Sequence, residues 1–291
     1  MKGIIVINPF LIPAESVHFA NRLKQEFDKK GVQVNIVTDL FSKTSLNETH
    51  LNYPLDKVDF CIYLDKDKYQ SQILEKSGIR LFNSHNSIRV CDDKAETYIA
   101  LANSGVKMPK TIFGALCYNV NAKIEQSWID NIISELGLPL IVKESYGSMG
   151  KGVYLAGTKR ELLEILQTVK CKPHIFQKYI AGQKGVDVRV IVIGGKVQCA
   201  IKRENVNDFR SNVAQGGKAM PIDLLDSFIK TAEKCAEVLG LDYCGVDLLF
   251  DENGQPVVCE VNSNAFIGGV EAATGFNVAN AYAEHVIKSL Q

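Results

Sequence analysis

The sequence has no surplus of charge of either sign: 33 Lys and Arg stand against 33 Asp and Glu. A broad electrostatic attraction to nucleic acid or to a membrane surface is therefore missing, and only a local basic pocket is left open. No apolar run reaches the length of a membrane helix. The opening MKGIIVINPF is too short for the apolar core of a signal peptide, so it reads as a first buried strand, and the expected compartment is the cytoplasm. The eight cysteines include no C-x-x-C pair, and several sit in strand-like runs such as DFCIYL and VVCEV. They read as small buried hydrophobes in a reducing environment rather than as disulfides or zinc ligands. Five scattered histidines suggest no metal cluster, and there is no Ser-His-Asp or Cys-His constellation, repeat or low-complexity segment. The first strand-to-helix turn, NPFLIPAES, lacks the G-x-G-x-x-G of a dinucleotide site.

With 291 residues the chain is long enough for about two ordinary domains. Strand signals at 3–8, 32–37, 58–64 and 79–83 alternate with helix signals. The first helix carries Val17, Ala20, Leu23 and Phe27 on one stripe and stops at Gly31; the second lies near Tyr69 to Lys76. That is an open βαβ-type sheet, so the fold class begins as α/β. A helix is expected from about Asp92 to Ser104. Thereafter short strands and hairpins mix with helices at Lys159–Val169, Leu224–Leu239 and from Asn277, which is α+β behaviour. The expected segments are 1–90, 91–182 and 183–291.

The hairpin GVDLLFDENGQPVVCEVN turns at Asn253-Gly254, a strong two-residue turn signal. Such a turn pairs Phe250 with Val257, Leu249 with Val258 and Asp247 with Glu260. It puts Asn262 opposite Gly245 on the carboxylate face, with Cys259 and Val261 on the other. Two carboxylates about 5 Å apart at Cβ do not both stay ionised in a half-buried sheet without a cation. Asp247, Glu260 and the Asn262 carboxamide are hard ligands suited to Mg²⁺ or Mn²⁺. From the hairpin alone, a metal site and a solvent-facing acid pair sharing one proton fit equally well.

A phosphate side breaks the tie. Lys143 lies inside the apolar strand of GLPLIVKESYGSMGKGVYL, where an ammonium needs an anion. The loop that follows has Gly147, Gly150 and Gly152, and its centre, Ser148, Met149 and Gly150, supplies candidate nucleotide contacts. It fails the Walker A spacing, and alone it is equally a flexible hairpin. Lys94 occupies the first turn of a helix, against the helix dipole. Asp187 and Arg189 share one strand face by period two, and Lys202, Arg203, Arg210 and Asn212 make a donor-rich stretch. Cations gathered around a carboxylate pair in a neutral protein suit a polyphosphate or a carboxylate substrate.

CDDK, LPLIVKESYGSMGKGV, FQKYI, GVDVRVIVIGGKVQCAIKRE, DFRSN, CGVDLLF and EVNSNAFIGGVEAATG follow one another from about residue 83 to the end. In that order they resemble the ATP-grasp superfamily, and most of all its RimK-type carboxylate–amine ligases; the first eighty residues are similar only in type. The resemblance implies an ATP-grasp fold behind an N-terminal open parallel-sheet pre-ATP-grasp domain, with ATP and two Mg²⁺ ions, or Mn²⁺. It makes Lys94 and Lys143 the ATP-binding lysines, Gln177, Lys178 and Tyr179 the adenine surroundings, and Asp187 the ribose contact. Arg189, Arg210, Ser211 and Asn212 would lie near the nucleotide, and Asp247, Glu260 and Asn262 would hold metal, Glu260 bridging two ions. D-alanine–D-alanine-type ligases resemble this metal motif but carry Arg where Gly245 stands, which leaves Arg203 and Arg210 as the charge-stabilising candidates.

The implied reaction phosphorylates a carboxylate and transfers its acyl group to an amine. Charge neutralisation and alignment are what such chemistry needs. The expected partners are an amino acid such as glutamate and an acceptor peptide, protein or metabolite, in a homo-oligomer without nucleic acid or membrane. Asn264, Phe266 and Glu271 are candidates for the acceptor pocket. A nucleotide-binding regulatory protein, or an ATP-grasp kinase or carboxylase, are the rival readings; amine-dependent ADP release excludes the first and an amide product the second.

Overall fold

Near-continuous apolar strands in the first part of the chain, such as FCIY at 60–63, need cover on both faces, and a parallel sheet between helices provides it. The computed structural model describes all 291 residues except 11–13, 53–56 and 212–215, so part of the NPFLIPAES turn and Asn212 lie outside the described residues. The first unit runs β1 (Lys2–Val6), α1 (Ala14–Lys29), β2 (Gln33–Val37), α2 (Leu40–Lys43), a small ribbon β3 (Ser45–Asn47) and β4 (His50–Asn52), β5 (Phe60–Tyr63), α3 (Lys68–Lys76) and β6 (Arg80–Phe82). Its sheet has the order β2-β1-β5-β6, all parallel. Ile5, Phe60, Ile62 and Phe82 pack with Phe19, Ala20, Leu23 and Phe27 of α1. Ile4, Val6, Cys61 and Tyr63 pack on the other face with Leu74 of α3. Alternate residues thus serve alternate faces.

A helix that the sequence did not signal, α4 (His85–Asp92), precedes the one expected over Asp92 to Ser104, which is α5 (Lys94–Leu101). Asp93 separates the two: its backbone is extended and its carboxylate accepts hydrogen bonds from the Ala95 and Glu96 amides. An Asp at an N-cap competes with helix continuation in this way. The break makes Lys94 the first residue of α5. The second unit holds β7 (Thr111–Phe113), α6 (Gln126–Leu136), β8 (Leu140–Glu144), β9 (Val153–Ala156), α7 (Lys159–Val169) and β10 (His174–Lys178). Its antiparallel sheet has the order β7-β10-β8-β9. α7 has its expected bounds, set by a capping box between Thr158 and Glu161.

The third unit contains β11 (Val186–Ile193), β12 (Lys196–Glu204), β13 (Lys218–Pro221), α8 (Asp226–Leu239), β14 (Tyr243–Phe250), β15 (Pro256–Asn262), α9 (Gly268–Thr274) and α10 (Val278–Ser289). Its antiparallel sheet has the order β13-β12-β11-β14-β15. Val188, Val190, Val246, Leu248 and Val261 pack on Phe228, Ala232 and Cys235 of α8. On the opposite face Ile191, Ile193 and Tyr243 join the core of the first unit, with Val278, Tyr282 and Val286 of α10. We propose the division at 90 and 182 as one of sheets: the first and third sheets share an apolar core, whereas the second has its own.

The cysteines are all free. Cys61, Cys91, Cys235 and Cys244 are buried as expected, but Cys171 is exposed, because it falls in the turn after α7. Among the described residues no helix is long and apolar enough to cross a membrane.

Beside its apolar core, the junction of α1 with α9 and α10 carries a polar cluster. Glu26 is buried, and its Oε1 accepts from Lys29 at 2.9 Å, Asn277 at 3.1 Å and Arg22 at 3.2 Å. The Lys29 hydrogen bond, helped by those from Asn277 and Arg22, outweighs desolvation and holds the Glu26 carboxyl down at about 2. A depressed carboxylate stabilises the fold above its ordinary titration range, and the contribution fades as pH falls toward the folded value. Glu26→Gln should therefore cost roughly 1–3 kcal/mol at neutral pH. Thermal unfolding should show the gap between variant and wild type narrowing steadily below about pH 4.5.

Candidate active site

The cleft between the second and third sheets is where the charged strand residues meet. On β8, Leu140 and Val142 enter the core of the second unit, so period two turns Ile141 and Lys143 into the cleft. Lys143 is buried, with Nζ 3.5 Å from the Cys259 carbonyl and 3.8 Å from its sulfur. Burial works against the Lys143 ammonium, but Cys259, Tyr98 and Glu260 outweigh it and its pKa stands above the ordinary lysine value. Lys94 donates to the Gly147 carbonyl at 2.8 Å and lies 3.5 Å from Glu260 Oε1.

The loop between β8 and β9 folds over these lysines. Gly152 has φ +71° and a Cβ there would sit 3.1 Å from Glu144, so only glycine closes the loop without strain. Arg210, held by Asp208, donates to the Gly150 carbonyl at 3.0 Å from the far side. Ser148 and Gly150 line the cleft, and Met149 does not. Gln177, Lys178 and Tyr179 also line it, but the Gln177 amide donates to Thr111 Oγ1 at 2.9 Å. Its carboxamide is thus committed to the fold. Ser211 lines the cleft and Asn212 is not described.

The floor is a cross-strand lattice on the third sheet. Arg203 on β12 is the direct partner of Asp187 on β11, and its Nε donates to Asp187 Oδ1 at 2.7 Å. Arg189 on β11 is the direct partner of Asp247 on β14, to which Nε and Nη2 each donate at 2.8 Å. Arg203 Nη2 also reaches Asp247 Oδ2 at 3.0 Å. Asp247 is buried, which would raise its pKa; Arg189 and Arg203 outweigh that and hold the carboxyl below the usual range. The cation that the acid pair demanded is thus present: two guanidiniums for Asp247 and Lys94 for Glu260. Lys202, grouped with Arg203 from the sequence, points the other way toward Glu204, because neighbouring strand residues face opposite sides.

Asp247 does pair with Glu260 and Gly245 with Asn262. Nearer the turn, however, Phe250 pairs with Pro256 and Leu249 with Val257, one residue away from the expected register. The turn is longer than two residues. Asp251 closes a loop over 251–255, its Oδ1 accepting from the Asn253 and Gln255 amides and its amide donating to the Gln255 carbonyl. A bulge beside Asp247, with Cys259 as the extra residue, restores the register at the site. The bulge also corrects the expected alternation: Cys259 and Glu260 both line the cleft, while Val261 enters the α8 core. Tyr98 of α5 holds the bulge, its buried hydroxyl donating to the Cys259 carbonyl at 2.8 Å. Neither Tyr98 nor Cys259 had a signal in the sequence, because a bulge breaks the period that would reveal it.

Asp247, Glu260 and Asn262 fit a hard divalent cation in donor chemistry. Asn262 Nδ2 lies 3.5 Å from Asp247 Oδ2, so the amide turned about presents its oxygen beside the carboxylate. Among the described residues no group of three or more His, Cys, Asp or Glu could hold a metal by itself. Three oxygen donors without a cage suit Mg²⁺ completed by phosphate oxygens. Farther along, Asn264 donates to the Asp65 carbonyl at 2.9 Å, at the edge of the first unit. Glu271 is taken up by Arg22 at 3.2 Å and by the Ala279 amide, and Phe266 is half-buried.

Residues 91–286 match the model of the RimK-like ATP-grasp domain family. A probable α-L-glutamate ligase of Psychromonas ingrahamii is 30% identical over 291 residues, covering 95% of this chain and 93% of the relative. Human N-acetylaspartylglutamate synthase A is 33% identical over 228 residues, 78% of this chain but 57% of the relative. In fold, the D-alanine–D-alanine ligase of Bacillus anthracis complexed with ATP is similar at a TM-score of 0.75 and 21% identity, over 100% of this chain and 97% of that one. With the lysines, the glycine loop and the carboxylate lattice all inside the matched residues, the chain belongs to the RimK-like ATP-grasp family of ATP-dependent carboxylate–amine ligases.

Proposed function

We propose that this ligase adds an amino acid, glutamate first among the candidates, through its amine to the carboxyl group of a peptide, protein or small-molecule acceptor. The observation that carries the reading is the lattice of Arg203, Asp187, Arg189, Asp247 and Glu260 facing Lys94 and Lys143 under a glycine loop. Two curated relatives whose names state glutamate ligation or glutamate-containing products support the choice of amino acid.

In this reading the backbone at Gln177–Tyr179 meets the adenine and Asp187 the ribose. Lys94 and Lys143 take the phosphate charge in place of the Gly147 and Cys259 carbonyls they now approach. Asp247, Glu260 and Asn262 would hold Mg²⁺, which would supply neutralisation of phosphate charge. The acceptor carboxylate oxygen attacks the γ-phosphorus, ADP leaves with the bonding pair, and an acylphosphate forms. Arg203, buried and pre-aligned by Asp187, offers its charge without reorganisation as negative charge builds on the phosphoryl oxygens. Arg210 and Ser211 close the phosphate end. The 145–152 loop keeps water from the acylphosphate, which would otherwise hydrolyse.

The test is ADP release over amino acids taken singly and in pairs, with mass spectrometry of the product. Release that needs an added amine and yields an amide is expected; amine-independent turnover, or a phosphorylated or carboxylated product, overturns the reading. Glu260→Gln keeps the shape of the site but removes a charge from the cation. Turnover should fall by about a thousandfold or more while the thermal unfolding midpoint stays near that of the wild type. Activity close to wild type would remove Glu260 from the metal site.

A further inference from the structure

We infer that Cys117 and Cys171 form a redox-responsive modification site on the second unit, where a small-molecule disulfide joins them reversibly into a staple. The inference is independent of the proposed ligation. Cys117 is half-buried in the segment between β7 and α6, and Cys171 is exposed in the turn between α7 and β10. Neither lines the nucleotide cleft.

Three observations carry it. The first is backbone approach. The Cys117 amide donates to the Lys170 carbonyl at 3.0 Å. Standard bond lengths then hold the Cα atoms of Cys117 and Cys171 to no more than about 7 Å, within the reach of a bridge. Lys170 fixes the approach a second time, its ammonium donating to the Ala122 carbonyl at 2.7 Å.

The second is thiol orientation. The Cys117 thiol donates to the Asn119 carbonyl at 3.0 Å, which leaves its sulfur to accept. The Cys171 side chain hydrogen-bonds with Cys117, so the two sulfurs already face each other.

The third is what a bridge encloses. Residues 118–170 hold α6, β8, β9 and α7, most of the second unit, whose apolar core is its own. A small core gains much from a covalent link, and a long closed loop gains more than a short one. The same turn roots the glycine loop. Lys172 Nζ donates to both Glu144 carboxylate oxygens at 2.9 Å, and the Ser145 amide donates to the Pro173 carbonyl at 2.8 Å. A bridge at Cys171 fixes that turn where it already lies, so it steadies the root of the loop without moving the cleft.

The chemistry is two thiol–disulfide exchanges. Exposed Cys171, as its thiolate, attacks one sulfur of the small disulfide, and the other sulfur leaves as a thiolate. Cys117, as its thiolate, then attacks the Cys171 sulfur, and the second small thiolate leaves. The two protons lost from the protein end on the two small thiols, and the two electrons lost from the protein reduce the small disulfide. In a reducing compartment such a bridge is transient.

The test equilibrates the full-length protein in mixtures of reduced and oxidised glutathione, quenches in acid and maps the cysteines by mass spectrometry. A peptide pair joining Cys117 to Cys171, two hydrogens lighter and released by dithiothreitol, is expected. Cys117→Ser should instead carry glutathione on Cys171. The oxidised wild type should unfold about 5 °C or more above the reduced protein, and Cys117→Ser should show no such rise. By calorimetric titration, Mg·ADP affinity of the oxidised wild type should stay within about threefold of the reduced protein. Glutathione on both cysteines without a bridge, or disulfides between molecules, overturns the pairing. An unchanged or lowered midpoint in the bridged protein overturns the staple. Mg·ADP binding weakened about tenfold or more by the bridge overturns its neutrality toward the cleft. If Cys117→Ser does not fold, Cys171→Ser, at the exposed position, takes its place and should show neither bridge nor rise.

Discussion

A carboxylate that is 2% exposed, Asp247, is the point on which the site depends. Buried alone it would take up a proton; with Arg189 and Arg203 on its two oxygens it stays charged. The arginines need it equally, because Arg203 Nη2 reaches both Asp187 and Asp247 and links the rows of the lattice. All of these contacts follow from strand register. A slip of one residue in β11 would turn Asp187 and Arg189 into the α8 core and bring Val188 and Val190 to the cleft. The apolar face of the same strand, packed on Phe228, Ala232 and Cys235, excludes that slip.

The pairing of Asp247 with Glu260 was legible from the sequence, yet by a route that was partly incorrect. A two-residue turn at Asn253-Gly254 gives the right partners at the site and the wrong ones beside the turn. The Asp251 side chain builds a five-residue loop, and the bulge at Cys259 takes back the difference. Turn chemistry of the Asp251 kind is local but optional, and bulges leave no periodic trace. Lys143 was legible because a lysine in a run of Leu, Ile and Val is costly without a purpose. Tyr98 was not, since a buried tyrosine on a helix reads as core until its hydroxyl is seen on the Cys259 carbonyl. Helix α4 was not legible ahead of CDDK; the second Asp of that stretch caps α5, which begins close to where the sequence put it.

The shared core explains why the segment beyond Asn262 is set by the first sheet. Asn83 at the end of β6 donates to the Tyr243 and Ser263 carbonyls, and Tyr243 donates to the Ala265 carbonyl. Tyr282 of α10 closes the circuit on the Phe82 carbonyl at 3.0 Å. The segment that follows β15 is therefore held on both sides by buried hydrogen bonds. Loss of any one would strand a polar atom away from water.

The second sheet is tied differently. Its core is built only from residues between Ile112 and Phe176, and none of the apolar clusters of the other sheets enters it. Across the cleft it meets the rest through polar contacts: Lys94 to Gly147, Arg210 to Gly150, and Lys143 near Cys259. Apolar cores resist partial separation because of close packing, whereas single hydrogen bonds exchange readily with a ligand or with water. The three contacts are made by cations on carbonyl oxygens, which are weaker acceptors than phosphate oxygens. A polyphosphate entering the cleft would offer each cation a better partner, so these are contacts that a nucleotide would replace. The seam between two separate cores is thus sealed by charge and not by apolar packing, and the charges that seal it are the ones a polyphosphate would meet.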